Sequence, residues 1–423
     1  MKNYKIEILN IGAIKEVKLN LNKVNIFMGE QSSGKSTIAK IISFCNWVEK
    51  DVSIHQSFNN YSSDKNYFIE KLENFHKMRG YFNENSEIKY ESNTIKLHYK
   101  WNAFEISWVN QFEYKRNKIS YIPSERSIAV LPEMEKTELP NNYIRSFLFD
   151  WFDARKNYTN ENKISILDVD IEYYYSESSK ENHIQNKNNS YDILLSNASS
   201  GLQSMTPLIV MIDHLTNNIY NDEQKLSYEI DEAKAKVTQM LISEILFKQV
   251  YGKDFTEKEI RKKKIEELNK RISEKEESVM VSFEEFKKIR NNLFKTHSTN
   301  LIIEEPEQNL FPATQKTLIY YLLESIASDL DHNLTLTTHS PYVLYAINNC
   351  IMANLVYDKL SEEEKENIFC LNSKIDSKSI SIYQIKNGLI NCIQQEDGLI
   401  GENFFDDQMK QVMDEFYLML NHY

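Results

Sequence analysis

Hydrophobic and polar positions alternate near the start of the chain, and the alternation then closes into an apolar run. Residues 4–10 (YKIEILN) carry apolar side chains at every second position. Residues 16–28 (EVKLNLNKVNIFM) begin the same way and end almost wholly apolar. A period of two marks a half-buried strand, and a continuous run marks a strand covered on both faces. Over residues 36–49 (STIAKIISFCNWVE) the spacing becomes helical, so the local order is strand, turn, helix. Residues 62–83 are polar and aromatic and read as helix and loop. Residues 87–109 alternate in three short runs, the pattern of an antiparallel meander. A short strand at 118–122 stops at Pro123, and 141–156 read as helix. Residues 164–175 and 189–195 read as strands around a loop rich in Asn, Ser and Lys.

Residues 201–300 are largely helical in pattern. Glu and Lys crowd 222–290, with pairs such as Glu257/Arg261, Glu259/Lys263 and Glu267/Arg271 one turn apart. Then follow an apolar strand (300–304), a helix (312–328), a strand (333–338), a helix from 341 to 350, a strand pair (380–385, 388–393) and a last helix (404–420). Strands alternating with helices predict an α/β sheet.

A length of 423 residues suggests two or three structural units. With 62 acidic against 50 basic residues, the net charge is −12. That balance argues against a chain coated in nucleic acid, while leaving room for a local basic patch. One candidate is the RKKK run of Arg261, Lys262, Lys263 and Lys264, which nearby Glu residues answer as a solvated helix face. No run reaches the ~18 apolar residues of a membrane span. The beginning MKNYKIEILNIG has no secretory apolar core. The four cysteines show no C-x-x-C spacing, so neither a zinc site nor a disulfide framework is expected, and a reducing cytoplasm fits best. Glycine is scarce: nine residues, against an average usage of about 7%.

Two of those glycines bracket the segment Gly29, Glu30, Gln31, Ser32, Ser33, Gly34, Lys35, Ser36, Thr37, which reads G-x-x-x-x-G-K-S-T between a predicted strand and a predicted helix. That context makes it a phosphate loop. Backbone N–H groups and the helix start surround the phosphates of a nucleoside triphosphate. Lys35 supplies charge at the β- and γ-phosphates, and the Ser36 hydroxyl ligates Mg²⁺. In LIIEEPE (301–307) an apolar strand delivers two carboxylates at its C-terminal end, where ligands of α/β sheets bind. Glu304 would orient the Mg²⁺ shell and Glu305 would polarise an attacking water. In TLTTHSPYVL (335–344) another strand ends in His339, whose imidazole can hydrogen-bond a phosphate or water. In LSNASSGLQSM (195–205), Ser199 or Ser200 is a natural helix cap and Gly201 leaves bare backbone, an anion site at a helix start. Pro207 falls in the first turns, so this helix is expected to start late or kink.

These four segments, in this order, resemble the ABC-type ATPase head of OLD-, RecF- and SMC-like proteins. GEQSSGKST looks like Walker A, SSGLQS like the ABC signature, LIIEEPEQNLFP like Walker B of the OLD-like branch, and TTHSPYVL like the switch-histidine segment. Residues 10–30 and 119–127 are similar to that branch too. The resemblance implies a P-loop NTPase, an ABC-ATPase-like head with an antiparallel β-subdomain and a helical insertion. The head would comprise 1–216 and 298–423, with a segment inserted at about 46–190, and 217–297 would be the helical insertion, of which one form is a short antiparallel hairpin. It further implies a head-to-tail homodimer or higher oligomer around ATP. Lys35 and Ser36 of one protomer would face Ser199, Ser200, Gly201 and Gln203 of the other. Glu305 would be the catalytic carboxylate, His339 the γ-phosphate switch, and Glu304 with Ser36 the Mg²⁺ ligands. Glu304 stands where many ABC proteins have Asp. Gln111 or the 120–127 region are candidates for the Q-loop, and Arg126 for a phosphate or partner contact.

The implied activity is Mg²⁺-dependent ATP hydrolysis. Only 84 residues follow His339, and the carboxylate pair Asp406-Asp407 among them precedes a helix, so an own nuclease domain is not expected. The architecture looks like the ATPase subunits of bacterial antiphage systems of the PARIS or Septu type, which control a separate effector, a nuclease or toxin. The alternatives are a RecF- or SMC-like DNA-repair or DNA-clamping ATPase, and a nucleotide-gated scaffold that barely hydrolyses ATP.

Overall fold

The computed structural model describes residues 4–188, 190–220, 228–252, 258–420 and 422–423. Eleven strands join one sheet, in the order β6-β5-β4-β1-β2-β15-β14-β3-β13-β12-β7. They are β1 (Tyr4–Ile11), β2 (Ile14–Leu21), β3 (Val24–Gly29), β4 (Glu87–Glu91), β5 (Ile95–Lys100), β6 (Ala103–Trp108), β7 (Asn117–Ile122), β12 (Ser298–Glu304), β13 (Asn333–Thr338), β14 (Ile380–Lys386) and β15 (Leu389–Cys392). A second, four-stranded sheet holds β8 (Ile164–Ser165), β9 (Ile171–Ser176), β10 (Glu181–Asn186) and β11 (Asp192–Leu194).

The large sheet has two characters. β14, β3, β13, β12 and β7 run parallel. β2, β1, β4, β5 and β6 pair antiparallel. The sequence explains the division. Every residue of β3 and of β12 is buried, as a parallel sheet covered on both faces requires. β2 instead alternates buried and open positions. Residues of β3 feed two cores in turn: Val24, Ile26 and Met28 enter one, and Phe27 enters the other. The first core is shared with α4 (Tyr143–Ala154), α5 (Ser200–Thr216), α10 (Pro312–Ile326) and α11 (Pro341–Val356). The second is shared with α1 (Lys35–His55), α2 (Asn59–Ser63) and α3 (Tyr67–His76).

Between α5 and β12 lie α6 (Tyr228–Leu241), a π-helical turn (Ile242–Phe247), α7 (Lys248–Tyr251), α8 (Lys258–Ser273) and α9 (Glu277–Phe294). Their apolar faces form a third core that includes Leu241, Leu246, Phe247, Val279 and Leu293 and reaches Ile54 near the end of α1. Arg116 ties α9 to the sheet. Its guanidinium donates to Phe294 O at 2.8 Å and its backbone N–H to Asn292 O at 2.7 Å. The chain closes with α12 (Glu362–Asn367) and α13 (Phe404–Leu420). Among the described residues, no helix is long and apolar enough to cross a membrane.

Three local expectations are corrected. Residues 16–28 form two strands, because Asn25 stitches a turn at Asn22 with its amide: it accepts from Asn22 N at 2.9 Å and donates to Asn22 O at 2.8 Å. The polar loop after β9 contains β10, whose one fully buried residue is Ile184, so its pattern carries almost no apolar signal. Pro207 does not delay α5, which begins at Ser200 and runs through it. The proline leaves the Gln203 carbonyl without its usual helical donor. The next carbonyl, Ser204 O, is held by Arg126 Nε at 3.2 Å.

Trp151 is fully buried where α4 meets the small sheet, its ring 5.7 Å from that of Tyr173. Its indole N–H has no hydrogen-bond partner. Both a truncation and a smaller aromatic remove that unsatisfied donor, but the truncation also removes most of the apolar packing. In urea denaturation, Trp151→Ala is expected to cost about 3–5 kcal/mol and Trp151→Phe less than about 1.5 kcal/mol. Equal losses for the two would contradict this placement.

Candidate functional site

The loop from Gly29 to Gly34 joins the C-terminal end of β3 to α1. Glu30, Gln31 and Ser32 are exposed on it, and Ser32 takes a positive φ of 59°. Gly34 caps α1 at φ 105°, and a Cβ there would lie 2.3 Å from Ile14 Cδ1. The β1–β2 hairpin thus braces the loop, and only glycine fits. No side chain caps α1, and its first turn bears no acidic residue. Its N-terminal N–H groups and the positive end of its dipole are left to the loop, an arrangement that favours an anion. Lys35, Ser36 and Thr37 form the first turn; Ser36 is half-buried and Thr37 buried.

Lys35 turns back over the loop, 4% exposed. Its ammonium donates to Gly29 O at 2.9 Å and Glu30 O at 2.7 Å, and lies 3.3 Å from His339 Nδ1. All three donors are thereby used. The other face of the imidazole, Nε2, sits 3.2 Å from Glu305 Oε1. An ammonium can only donate, so Nδ1 accepts, and the network assigns the ring proton to Nε2, which donates to the carboxylate. A single polar line thus runs from the exit of β3 through the exit of β13 to the exit of β12. Burial pushes the Lys35 pKa down to about 8, against the opposing pull of Glu305, Glu307 and Glu304. The His339 contact, opposed by burial, holds the Glu305 carboxyl below its usual range. Glu305 itself has a positive φ of 43°, a strained setting for a non-glycine residue.

Glu304 ends β12 in register with Thr337, which pairs with Phe27 of β3. Two strand spacings, about 10 Å, therefore separate it from the strand that feeds the loop. Its carboxylate is buried against the Tyr121 hydroxyl, whose pKa it helps burial to raise. Glu307, which sequence reasoning assigned no role, fixes the histidine: its Oε1 accepts from His339 N at 2.6 Å and Thr338 Oγ1 at 2.8 Å. Burial raises the Glu307 carboxyl. Its signal in the sequence is the third carboxylate of EEPE.

Arg126 is not open to a phosphate or a partner. It is fully buried and donates to five carbonyl oxygens: Ser204, Pro123, Glu304, Glu305 and Pro306. Burial lowers its pKa to about 10, with Glu307, Glu305 and Glu304 opposing. Gln111 lies at the other end of α1, where its amide donates to Gln56 Oε1 at 3.1 Å. A 21-residue helix, roughly 30 Å long, separates it from the loop. It is therefore no Q-loop residue of this site.

The segment before α5 exposes Ser199 and Ser200, and neither caps the helix with its side chain. Gln203 turns inward and donates to Ser196 O at 2.8 Å and Ala198 O at 3.0 Å, holding the approach to the helix. Gly201 has a reason within its own chain: a Cβ there would meet Asn309 O at 3.0 Å. The helix start is thus packed against the turn that follows Glu305.

No family model matches the chain, and no curated protein matches it. Solved structures similar to it include an SMC head domain from Thermotoga maritima, at 10% identity, covering 94% of this chain and 100% of that one, with a TM-score of 0.36. An SMC head bound to the C-winged helix domain of ScpA follows at 9% identity, 92% and 96% coverage and 0.35. The recombination mediator RecF with ATPrS follows at 12% identity, 92% and 98% coverage and 0.31. These scores are low, and no residue role rests on them.

Arg126 is testable apart from any activity. A lysine keeps the charge but cannot span five carbonyls with one planar fork. Arg126→Lys is expected to lower the unfolding free energy by about 3 kcal/mol or more, since buried acceptors lose their donors. A loss near zero in chemical denaturation would refute the hub.

Proposed function

We propose that this chain is an ATP-binding and ATP-hydrolysing head of the ABC type. The observation that carries the reading is the hydrogen-bonded line Lys35–His339–Glu305, which unites three motifs distant in sequence at one edge of the parallel strands. In this reading the loop N–H groups and Lys35 bind the β- and γ-phosphates. Phosphate oxygens take over the ammonium donors that Gly29 O, Glu30 O and His339 now hold. His339, released from Lys35, is free to bond the γ-phosphate. Glu305, kept ionised by its neighbours, accepts a proton from the attacking water. The Ser36 hydroxyl and the buried Glu304 carboxylate would hold Mg²⁺, which when bound supplies charge neutralisation at the phosphates.

The exposed Ser199 and Ser200 and the bare backbone of Gly201 are proposed to meet the γ-phosphate of a second protomer, with Gln203 shaping the turn from within. ATP would then join two heads, and hydrolysis would part them. We further propose that the cycle controls a separate effector, a nuclease or toxin of an antiphage system. This finer step rests on the resemblance of the motif set to that branch. Co-purification of a protein encoded beside this gene supports it; a salt-sensitive shift of DNA by the pure chain would favour a repair role instead.

Lys35→Ala is expected to abolish ATP binding in equilibrium titration, and retained binding would sink the reading. Glu305→Gln is expected to keep binding and to slow turnover by about 10²–10⁴-fold, with the ATP-bound oligomer persisting. The lowered Lys35 pKa adds a pH signature. The nucleotide-free chain begins to lose this proton near pH 8, while a bound phosphate favours the charged amine. Binding should therefore take up a proton from about pH 8 upward, and affinity should fall as pH rises through that range. Calorimetry in buffers of different ionisation enthalpy reads this directly, and Lys35→Arg should remove the pH dependence.

A further inference from the structure

Cys350 lies on α11, and Cys370 lies on the turn that follows α12. The chain comes back to α11 at this turn, and two successive carbonyls of the helix receive it. Cys370 Sγ donates to Asn349 O at 3.7 Å, and Ile375 N donates to Cys350 O at 3.1 Å. The Cys370 sulfur thus rests against the peptide that joins Asn349 to Cys350, and the two thiols share a hydrogen bond. Tyr320 of α10 stands beside them, its hydroxyl accepting from Asn349 Nδ2 at 3.4 Å. Both cysteines belong to the first core. Cys350 is fully buried, whereas Cys370 is 6% exposed and adjoins Phe369, which is 84% exposed. Solvent therefore reaches the pair from the Cys370 side.

The two sulfurs are not equivalent. The Cys350 thiol holds Cys370 below the ordinary thiol range, against burial, and Tyr320 and Lys316 act in the same direction. The same contact, together with burial, raises Cys350. Cys370 is thus the member that presents a thiolate. The remaining cysteines differ. Cys45 is sealed in the second core, where burial raises its thiol, and Cys392 is exposed. Among the described residues no cluster of three metal-ligating side chains occurs, so the pair lacks the further ligands a metal would need. Cys370 sits on an irregular turn, so its sulfur can close on Cys350 without bending α11.

We propose that Cys350 and Cys370 are an oxidation site, at which a hydroperoxide converts the thiol pair into a reversible disulfide that staples the turn after α12 to α11. The Cys370 thiolate attacks one peroxide oxygen. An S–O bond forms, the O–O bond breaks and hydroxide leaves, giving a sulfenic acid. The Cys350 sulfur then attacks that sulfur. The S–S bond forms, the S–O bond breaks, and the Cys350 proton leaves with the hydroxyl as water. Overall the two thiols give up two electrons and two protons, and hydrogen peroxide becomes two waters. Small thiols reverse the change, so in a reducing compartment the disulfide is transient. This chemistry is independent of nucleotide, and its failure would leave the ATPase reading untouched.

Peroxide treatment of the full chain tests it, in a Cys392→Ser background that removes the exposed thiol. After oxidation the chain is denatured and alkylated. Of its three thiols, Cys45 alone should still react. Digestion should yield one cross-linked peptide joining Cys350 to Cys370, and dithiothreitol should separate it. Cys370→Ser should leave Cys350 reduced at the same dose. Cys350→Ser should leave Cys370 as a sulfenic acid that dimedone traps. The cross-link itself is read without either second substitution, so a variant that fails to fold does not decide the matter. Three reactive thiols after peroxide overturn the proposal. So does a Cys370 that advances to sulfinic acid while Cys350 stays free, or a cross-link of either residue to Cys45. Oxidation of Cys350 in the absence of Cys370 overturns the assigned order of attack.

Discussion

A positive charge buried without a carboxylate partner is costly unless polar groups replace its water. Arg126 meets that demand with carbonyl oxygens alone, and the choice of carbonyls organises this end of the molecule. They come from the exit of β7, the first turns of α5 and the exit of β12. The two strand exits are places where regular structure gives way and leaves acceptors open, and in α5 the carbonyl used is the one next to that freed by Pro207. One planar side chain satisfies all of them and so sets α5 against the turn that carries Glu305. Gly201 against Asn309 is the steric counterpart of that electrostatic bond: a Cβ there would make a tight 3.0 Å contact with Asn309 O.

The line from Lys35 to Glu305 follows from the same economy of partners. A buried ammonium takes what the loop and its neighbours offer, here two carbonyls and an imidazole. The imidazole can accept on one side only by donating on the other, so the state of Lys35 is passed to Glu305. Glu307 makes this coupling directional, because it holds the His339 backbone in place while leaving the ring free to choose its partner. Strain at Glu305 sits where the coupling ends, supported by Arg126 on its carbonyl and by Thr337 O on its N–H.

The helices between α5 and β12 stand apart from this chemistry. Their core reaches the far end of α1, and the RKKK residues described there are not buried. Lys264, for example, pairs with Glu267 at 2.5 Å. The solvated-face reading of this run suits that arrangement. The body therefore presents three distinct surfaces: the edge at the loop from Gly29 to Gly34, the helical lobe at the opposite end of α1, and the α11–α13 side.

How much of this was legible in the chain itself depends on the range of the interactions concerned. The parallel strands, the helices that follow them and the loop from Gly29 to Thr37 were readable, because period and local backbone demands are written in adjacent residues. The turn at Asn22, β10 and the uninterrupted α5 were not. Each depends on a hydrogen bond or a pairing whose partner lies beyond the local pattern, or on a single polar side chain within it. The candidate site divides the same way. Residue types and spacing pointed to Lys35, Glu304, Glu305 and His339, since a phosphate site calls for those groups at strand ends. Sequence could not show that Lys35 and Glu305 share one imidazole, that Glu307 positions it, that Gln111 lies at the wrong end of α1, or that Arg126 is sealed inside. Those facts depend on which strand lies beside which, and strand order is decided by the packing of the whole sheet.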